Sequence, residues 1–265
     1  MPRNVNTKQL QRIFKGEDLE FRITEYPVKF DGALILEDLL LPCDLKFNES
    51  DLGHLVFKNC RFLGNISFNQ TQMNLLSFEG CEFRDVDINE CEINELNLND
   101  STLVKRFHIG GSAINSLNIE RNPIFEAIEV ACENNILQAS INDNGHSEQN
   151  SFKSTIYLCP ERFDSMVLKN NVSEILHIGT IGQYSSFEID SYCANLFLFS
   201  NCNSSDSKVS FQNLQPLDPS AASVCIVNSE RIVAMKQEGV FSDFKHIRKY
   251  VQRVEDINQF RSLAS

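Results

Sequence analysis

The chain has 265 residues, 42% hydrophobic and 23% charged, with a formal net charge of −12. That length allows one large domain or two ordinary ones. The acidic balance argues against generic nucleic-acid binding and against docking on anionic lipid, which both need a basic footprint. No run of 18 apolar residues occurs, and residues 1–6 lack the apolar stretch of a secretory signal, so a cytoplasmic protein is expected. The nine cysteines form no C-x-x-C pair, and an odd count without secretion predicts reduced, mostly buried thiols with no disulfide and no metal. Twenty Phe against no Trp suggests one kind of slot filled repeatedly.

In chain order, residues 1–29 read as an N-terminal cap, with a short helix over 7–15. From residue 34 a unit recurs: two large apolar residues one apart, a spacer pair, a usually small residue, one more spacer, and a third apolar residue. It reads Leu34-Leu36-Leu39-Leu41, Leu45-Phe47-Ser50-Leu52, Leu55-Phe57-Cys60-Phe62 and Ile66-Phe68-Thr71-Met73. Leu76-Phe78-Cys81-Phe83, Val86-Ile88-Cys91-Ile93 and Leu96-Leu98-Ser101-Leu103 continue it, with looser copies from Phe107, Leu117 and Ile128. The steps are all 10 or 11 residues, too uniform and too closely joined for the hairpins of a sandwich. Apolar residues one apart share a face of a short strand. Two units then make a rung of 20–21 residues, stacked on its neighbours about 4.8 Å away.

The five-residue beat through Phe57, Phe62, Phe68, Met73, Phe78, Phe83, Ile88, Ile93, Leu98 and Leu103 resembles the pentapeptide-repeat family. That resemblance implies a right-handed, four-sided parallel β-helix, with Cys60, Cys81 and Cys91 at the family's small inward position. Asn48, Asn69 and Asn89 are expected in one corner column. The sequence departs from the strict pattern at Leu55, Ile66, Leu76, Val86 and Leu96, which are large where small residues are usual, so a fatter section is expected.

The φ-x-φ beat persists from Ile156 through Glu161 and Phe163 to Val224-Ile226, so the solenoid is assigned to residues 30–235. Polar, turn-rich stretches near 142–152 and 215–221 read as inserted loops. Residues 236–265 are expected to be an amphipathic helix, with Val240, Phe244, Ile247, Val251 and Val254 at helical spacing. Phe244, Ile247, Val251 and Val254 are the candidate cap or dimer contacts, because a solenoid's last rung exposes core and strand edge. The basic cluster Lys245, His246, Arg248, Lys249 and Arg253 reads as a solvated helix face, or as a contact for the acidic residues of a second copy.

No catalytic motif, nucleotide loop or metal-ligand spacing occurs, so no enzyme and no cofactor is expected. The candidate partner contacts are Glu79, Glu82, Asp85, Asp87, Glu90, Glu92 and Glu95. The main expectation is a non-enzymatic bacterial protein-interaction scaffold or sensor, using the side of the β-helix and the C-terminal helix. One alternative follows from the resemblance: an acidic DNA mimic acting on a type II topoisomerase. That needs a stripe of charge along the axis, about one per 1.7 Å. Stacked at rung spacing, the columns read Lys58-Glu79-Asn99-Glu120 and Arg61-Glu82-Thr102, a belt more than a stripe. A third reading is a cytoplasmic glycan-active β-helix enzyme, using clustered carboxylates.

Overall fold

A computed structural model describes residues 3–17, 27–145, 154–179, 183–202, 208–227, 229, 232–233, 235 and 238–250. Every strand pairing among them is parallel, and the strands form two sheets wound as a solenoid. Sheet A has ten strands, from Arg3–Asn4 and Val28–Glu37 through Gln72–Glu79, Glu92–Asn99 and Ala113–Glu120 to Gln183–Asp190 and Lys208–Gln212. Sheet B runs from Leu40–Leu41 through Glu82–Asn89, Thr102–Gly110, Ile124–Val130 and Val172–Gly179 to Cys193–Ser200, Ser223–Val227 and His246–Tyr250.

The expected register holds. Leu55 pairs with Leu76, Phe57 with Phe78 and Arg61 with Glu82, and Leu76, Phe78, Cys81 and Phe83 are all buried. Like side chains stack between rungs, which is the slot that the many phenylalanines fill. Phe47–Phe68, Phe57–Phe78 and Phe62–Phe83 lie at centroid distances of 5.3, 5.2 and 4.7 Å with ring planes nearly parallel. Asn48, Asn69 and Asn89 do share one column, at the strand ends beside a corner.

The turn of the solenoid differs from the expected alternation of short sides. The small residue, its spacer and the next apolar pair mostly run on into one eight-residue strand, so a rung is two strands and two tight corners. Inward Phe83 and Val86 are three apart, with outward Arg84 and Asp85 as a gentler bend between them. The first rungs of sheet B break there, as Leu40–Leu41 with Leu45–Asn48 and Arg61–Phe62 with Ile66–Asn69, and so does a late one, as Gln215–Pro216 with Ser223–Val227, where the loop expected at 215–221 falls. Gly64 sits at the break after Arg61–Phe62, where a Cβ would fall 2.3 Å from the Cys43 carbonyl carbon.

Most tight corners hold one residue in the left-handed region, just before the small position. Asp38, Asn59, Gly80, Asp100, Arg121, Asp143, Asn170, Ser191 and Asn213 mark one column, and Glu49, Gln70, Glu90, Gly111, Glu133 and Asn201 mark the other. Gly, Asn and Asp adopt this conformation at least cost, which accounts for their recurrence in the first column.

The small position also carries the corner's hydrogen bonds, and its chemistry changes along the chain. Cys60, Cys81 and Ser101 give way to Asn122, Asn144 and Asn171, all three fully buried. Asn144 Oδ1 accepts from the backbone N of Asn122 (3.1 Å) and from Asn122 Nδ2 (2.8 Å). Its Nδ2 donates to the Ile119 carbonyl (2.9 Å) and to Asn171 Oδ1 (2.9 Å). Asn144 therefore belongs to the stack, and residues 146–152 of the loop expected near 142–152 lie outside the described residues. Glu161, expected at an inward small position, is exposed, while Cys159 and Pro160 are buried beside it.

At the N-terminus the helix Thr7–Phe14 is capped by Asn6, whose side chain accepts from Gln9 N while the Gln9 side chain accepts from Asn6 N. Its Leu10, Ile13 and Phe14 close the open rung, with Phe14 against Phe47 and Phe57 at 5.3 and 5.0 Å. The C-terminal expectation is overturned as far as Tyr250. Residues 239–243 form turns and His246–Tyr250 is a strand pairing with Ser223–Val227. Ile247 takes the inward position next to Val224, so the period of two set by the sheet overrides the helical spacing. Val251, Val254 and the rest of the expected helix lie outside the described residues. Ile232, Met235, Phe241 and Phe244 close the C-terminal end of the core.

Candidate interaction surface

Parallel stacking turns every outward position into a column along the axis. The seven acidic candidates are distributed around most of one rung. Glu79 ends a strand of sheet A, Glu82, Asp85 and Asp87 lie on sheet B, Glu90 sits at a left-handed corner, and Glu92 and Glu95 return to sheet A. They form a belt, and the cross-rung columns Lys58-Glu79-Asn99-Glu120 and Arg61-Glu82-Thr102 are present in the register.

The belt has two parts with different electrostatics. Glu79 pairs with Lys58 (3.0 Å), Glu82 with Arg61 (3.0 Å), Asp87 with Arg106 (2.7 Å) and Asp85 with Lys105 (3.9 Å). Each of these bases sits on a neighbouring rung. These are largely exposed pairs, worth little to stability, but they cancel charge locally. Glu90, Glu92 and Glu95 instead accept from amides: Gln70 (2.7 Å), Gln72 (3.1 Å) and Asn97 (2.7 Å). An amide donor leaves the negative charge in place.

A cleft of about 370 Å³, lined in part by Glu92, crosses the N-terminal ends of four neighbouring strands of sheet A. Its wall is a ladder of carboxamides, in which Asn115 Nδ2 donates to Asn94 Oδ1 (2.9 Å) and Asn94 Nδ2 to Asn74 Oδ1 (3.0 Å). Asp51 and Gln72 complete the polar lining. Sequence reasoning missed these residues. The signal was present, since Asn74, Asn94 and Asn115 recur 20 and 21 residues apart on the same beat as the core.

The remaining candidate chemistry is structural. Among the described residues no group of three or more His, Cys, Asp or Glu is placed to hold a metal. All nine cysteines are free thiols. Burial pushes the Cys91 thiol up to about 11 and Cys202 to about 12, which makes them poor nucleophiles.

On the outer face of sheet B, His177 Nε2 lies 3.0 Å from Ser200 Oγ, a pairing possible only because Gly179 leaves the space. A Cβ at Gly179 would lie 2.1 Å from that hydroxyl. The ring packs edge-on against Tyr157 at 4.8 Å, but His177 Nδ1 has no hydrogen-bond partner to raise its basicity, and Ser200 is buried. Burial lowers the His177 pKa from 6.5 to about 4. The unfolded chain then takes up a proton near pH 6.5 that the folded chain refuses. Stability is complete above that pH and falls as pH is lowered from 6.5 toward 4, by up to ~1.4 kcal/mol per pH unit. Urea midpoints at pH 7.5 and 5.5 should show the loss, and His177→Gln should flatten it. An equal drop in the variant would assign the effect to other groups.

Of the C-terminal candidates, Phe244 is buried and packs on Phe197 at 5.2 Å, and Ile247 is partly buried against the core. Among the described residues, no helix is long and apolar enough to cross a membrane.

Residues 47–102 match the family described as pentapeptide repeats, in nine copies. No curated protein and no solved structure matches the chain. The matched segment ends where the ladder between Thr102–Gly110 and its neighbours shifts register, between Leu103 and Arg106. The nine repeat copies lie within the parallel solenoid, with Phe, Leu and Ile stacked inward, so residues 47–102 are similar to pentapeptide repeats in both sequence and winding.

Proposed function

We propose that the chain is a non-enzymatic protein-interaction scaffold, and that it offers the cleft at Glu92, with Glu90 and Glu95 beside it, to a basic segment of a partner protein. The observation that carries this reading is the split of the acidic belt. Four of its acids are ion-paired between rungs, whereas Glu90, Glu92 and Glu95, of which Glu92 lines the cleft, accept from amides and have no ion pair among the described residues. Solenoids of this kind commonly serve as interaction scaffolds, because stacked rungs give a rigid, extended side. Electrostatic complementarity at such a surface mainly sets association rate and choice of partner. Self-association through the C-terminal end is a finer part of the same proposal and rests on Val251 and Val254, since Phe244 and Ile247 pack on this chain's own core.

The acids bear on the DNA-mimic alternative as well. A mimic needs uninterrupted negative charge along the axis, and Lys58, Arg61 and Arg106 interrupt it at rung spacing. A molar excess of the chain is therefore expected to leave type II topoisomerase supercoiling activity unchanged.

The reading is tested by charge reversal. Glu90→Lys/Glu92→Lys/Glu95→Lys should abolish a saturable, cross-linkable protein partner. Glu126→Lys/Glu161→Lys/Glu238→Lys makes the same change in net charge on the exposed surface elsewhere and should retain it. Equal loss in both variants, or loss in neither, would remove the cleft from the mechanism.

A further inference from the structure

The walls of the cleft on sheet A repeat at the spacing of the rungs. Strands Asp51–Lys58, Gln72–Glu79, Glu92–Asn99 and Ala113–Glu120 lie side by side, with Asp51, Gln72, Glu92 and Ala113 in register. Two places further along their strands, Asn74, Asn94 and Asn115 make the other wall, joined by their own amide ladder. The first and third residues of a strand point to the same side, about 7 Å apart at Cα, and successive rungs are about 4.8 Å apart. A groove therefore runs between the two walls, parallel to the solenoid axis and floored by Leu52, Met73 and Ile93.

This groove is rich in acceptors that the chain uses only in part. Asn94 and Asn115 each donate one N–H to the carbonyl oxygen a rung earlier, and such an oxygen accepts two. Gln72 Nε2 donates to Glu92 Oε2 (3.1 Å), which leaves Gln72 Oε1 and Glu92 Oε1 without a donor among the described residues. Three consecutive rungs thus offer acceptors: Gln72 with Asn74, Glu92 with Asn94, and Asn115 across from the Ala113 methyl. Lys29 pairs with Asp51 at one end (2.9 Å), so Glu92 supplies the unbalanced charge.

We propose that this groove binds a linear aliphatic polyamine laid along the solenoid axis, with successive ammonium groups one rung apart and three carbons between them. The spacing follows from covalent geometry. Nitrogens joined through three carbons of an extended chain stand about 5 Å apart, against about 4.8 Å per rung. A four-carbon spacer needs about 6.3 Å and falls roughly 3 Å out of step over two rungs.

The chemistry matches rung by rung. The middle nitrogen of a triamine is secondary and carries two N–H groups, one for Glu92 and one for Asn94. One terminal ammonium donates to Gln72 and Asn74, and the other to Asn115. The methylenes lie over Met73, Ile93 and the Ala113 methyl, which line the same groove. A charge-assisted bond to Glu92 gives strength, and neutral acceptors at fixed intervals give selectivity for spacer length. A divalent cation suits the groove less well, because among the described residues no three acids, cysteines or histidines converge. The inference shares the cleft with the proposed partner segment but does not rest on it, since the ligand is a small molecule added to the chain alone.

Isothermal titration calorimetry of the full chain at one ionic strength tests this with three triamines of equal charge. Norspermidine has two three-carbon spacers, spermidine has one, and homospermidine has none. Affinity should fall in that order, with norspermidine saturating a single site and binding at least about fivefold tighter than homospermidine. Glu92→Gln should weaken norspermidine about tenfold, while Glu126→Gln, exposed on sheet B, should stay within about twofold. Ala113→Lys places the chain's own ammonium on the rung next to Glu92 and should abolish binding. Asn94→Ala, which removes the neutral acceptor of the middle rung, should bring norspermidine and homospermidine together. Equal affinities for the three triamines in the parent chain would reduce the attraction to charge alone and overturn the proposal. So would equal loss in the Glu92 and Glu126 variants, or binding that survives in Ala113→Lys.

Discussion

Replacing Asn144 with leucine is expected to lower the unfolding free energy by roughly 3–5 kcal/mol, summed from buried polar groups left without partners at about 1–3 kcal/mol each. Leucine matches the branched shape of asparagine but is bulkier, so the buried polar groups left without partners carry most of the cost and overpacking adds to it. The substitution removes the acceptor of the Asn122 backbone N–H and the donor to the Ile119 carbonyl, both in a fully buried column. It also removes the links to the side chains of Asn122 and Asn171. Asn144→Ser should cost less, because a hydroxyl already does this work one stretch earlier, where Ser101 Oγ accepts from Cys81 N at 3.0 Å. The comparison is read from the urea midpoint at constant slope. Because each rung contacts only its neighbours, a broken corner can also uncouple the two halves, and a second transition in the leucine variant would report that. Leucine tolerated within about 1 kcal/mol would mean that the amide ladder is not holding the corner.

The solenoid was legible because its core obeys one rule repeated at fixed spacing. Leu55, Phe57, Leu76 and Phe78 fall in register because a side chain that fits one rung fits the next. The corners were less legible, since different residues solve the same problem there. Cys60, Ser101, Asn122 and Tyr192 share one column, but they differ in size and in hydrogen-bonding capacity, so no sequence pattern unites them. Family similarity fades at the same place: the match stops at residue 102, and the buried amides begin at 122.

Local periodicity misled the reading at the C-terminus. Val240, Phe244 and Ile247 have helical spacing, yet His246–Tyr250 extends sheet B. An open parallel edge at Ser223–Val227 offers five residues' worth of backbone pairing, and satisfying that edge outweighs a helix stripe two turns long. On the acidic belt, the sequence placed the charges but not their partners. Glu82 and Glu92 look alike in sequence. What separates them is the column neighbour a rung earlier, Arg61 for one and Gln72 for the other.

The other large effect is expected at Phe78. Its ring is fully buried, stacked on Phe57 at 5.2 Å with planes 11° apart and meeting Phe83 edge-on at 4.8 Å. Phe62 lies 6.1 Å away, so Phe78 is a shared contact of several rings on two rungs. Phe78→Ala leaves a void that rigid ladders on either side cannot close, and the expected cost is about 3–5 kcal/mol. Phe78→Leu is the informative comparison. The next residue in that column is Leu98, so leucine already fits one rung on, and its cost should be nearer 1–1.5 kcal/mol. Both values come from urea unfolding followed by circular dichroism, with the unfolding slope checked against the parent chain. Alanine costing no more than leucine would show that the stack relaxes into the gap, and the ladder of aromatic rings would then lose its place as the main source of cohesion between rungs.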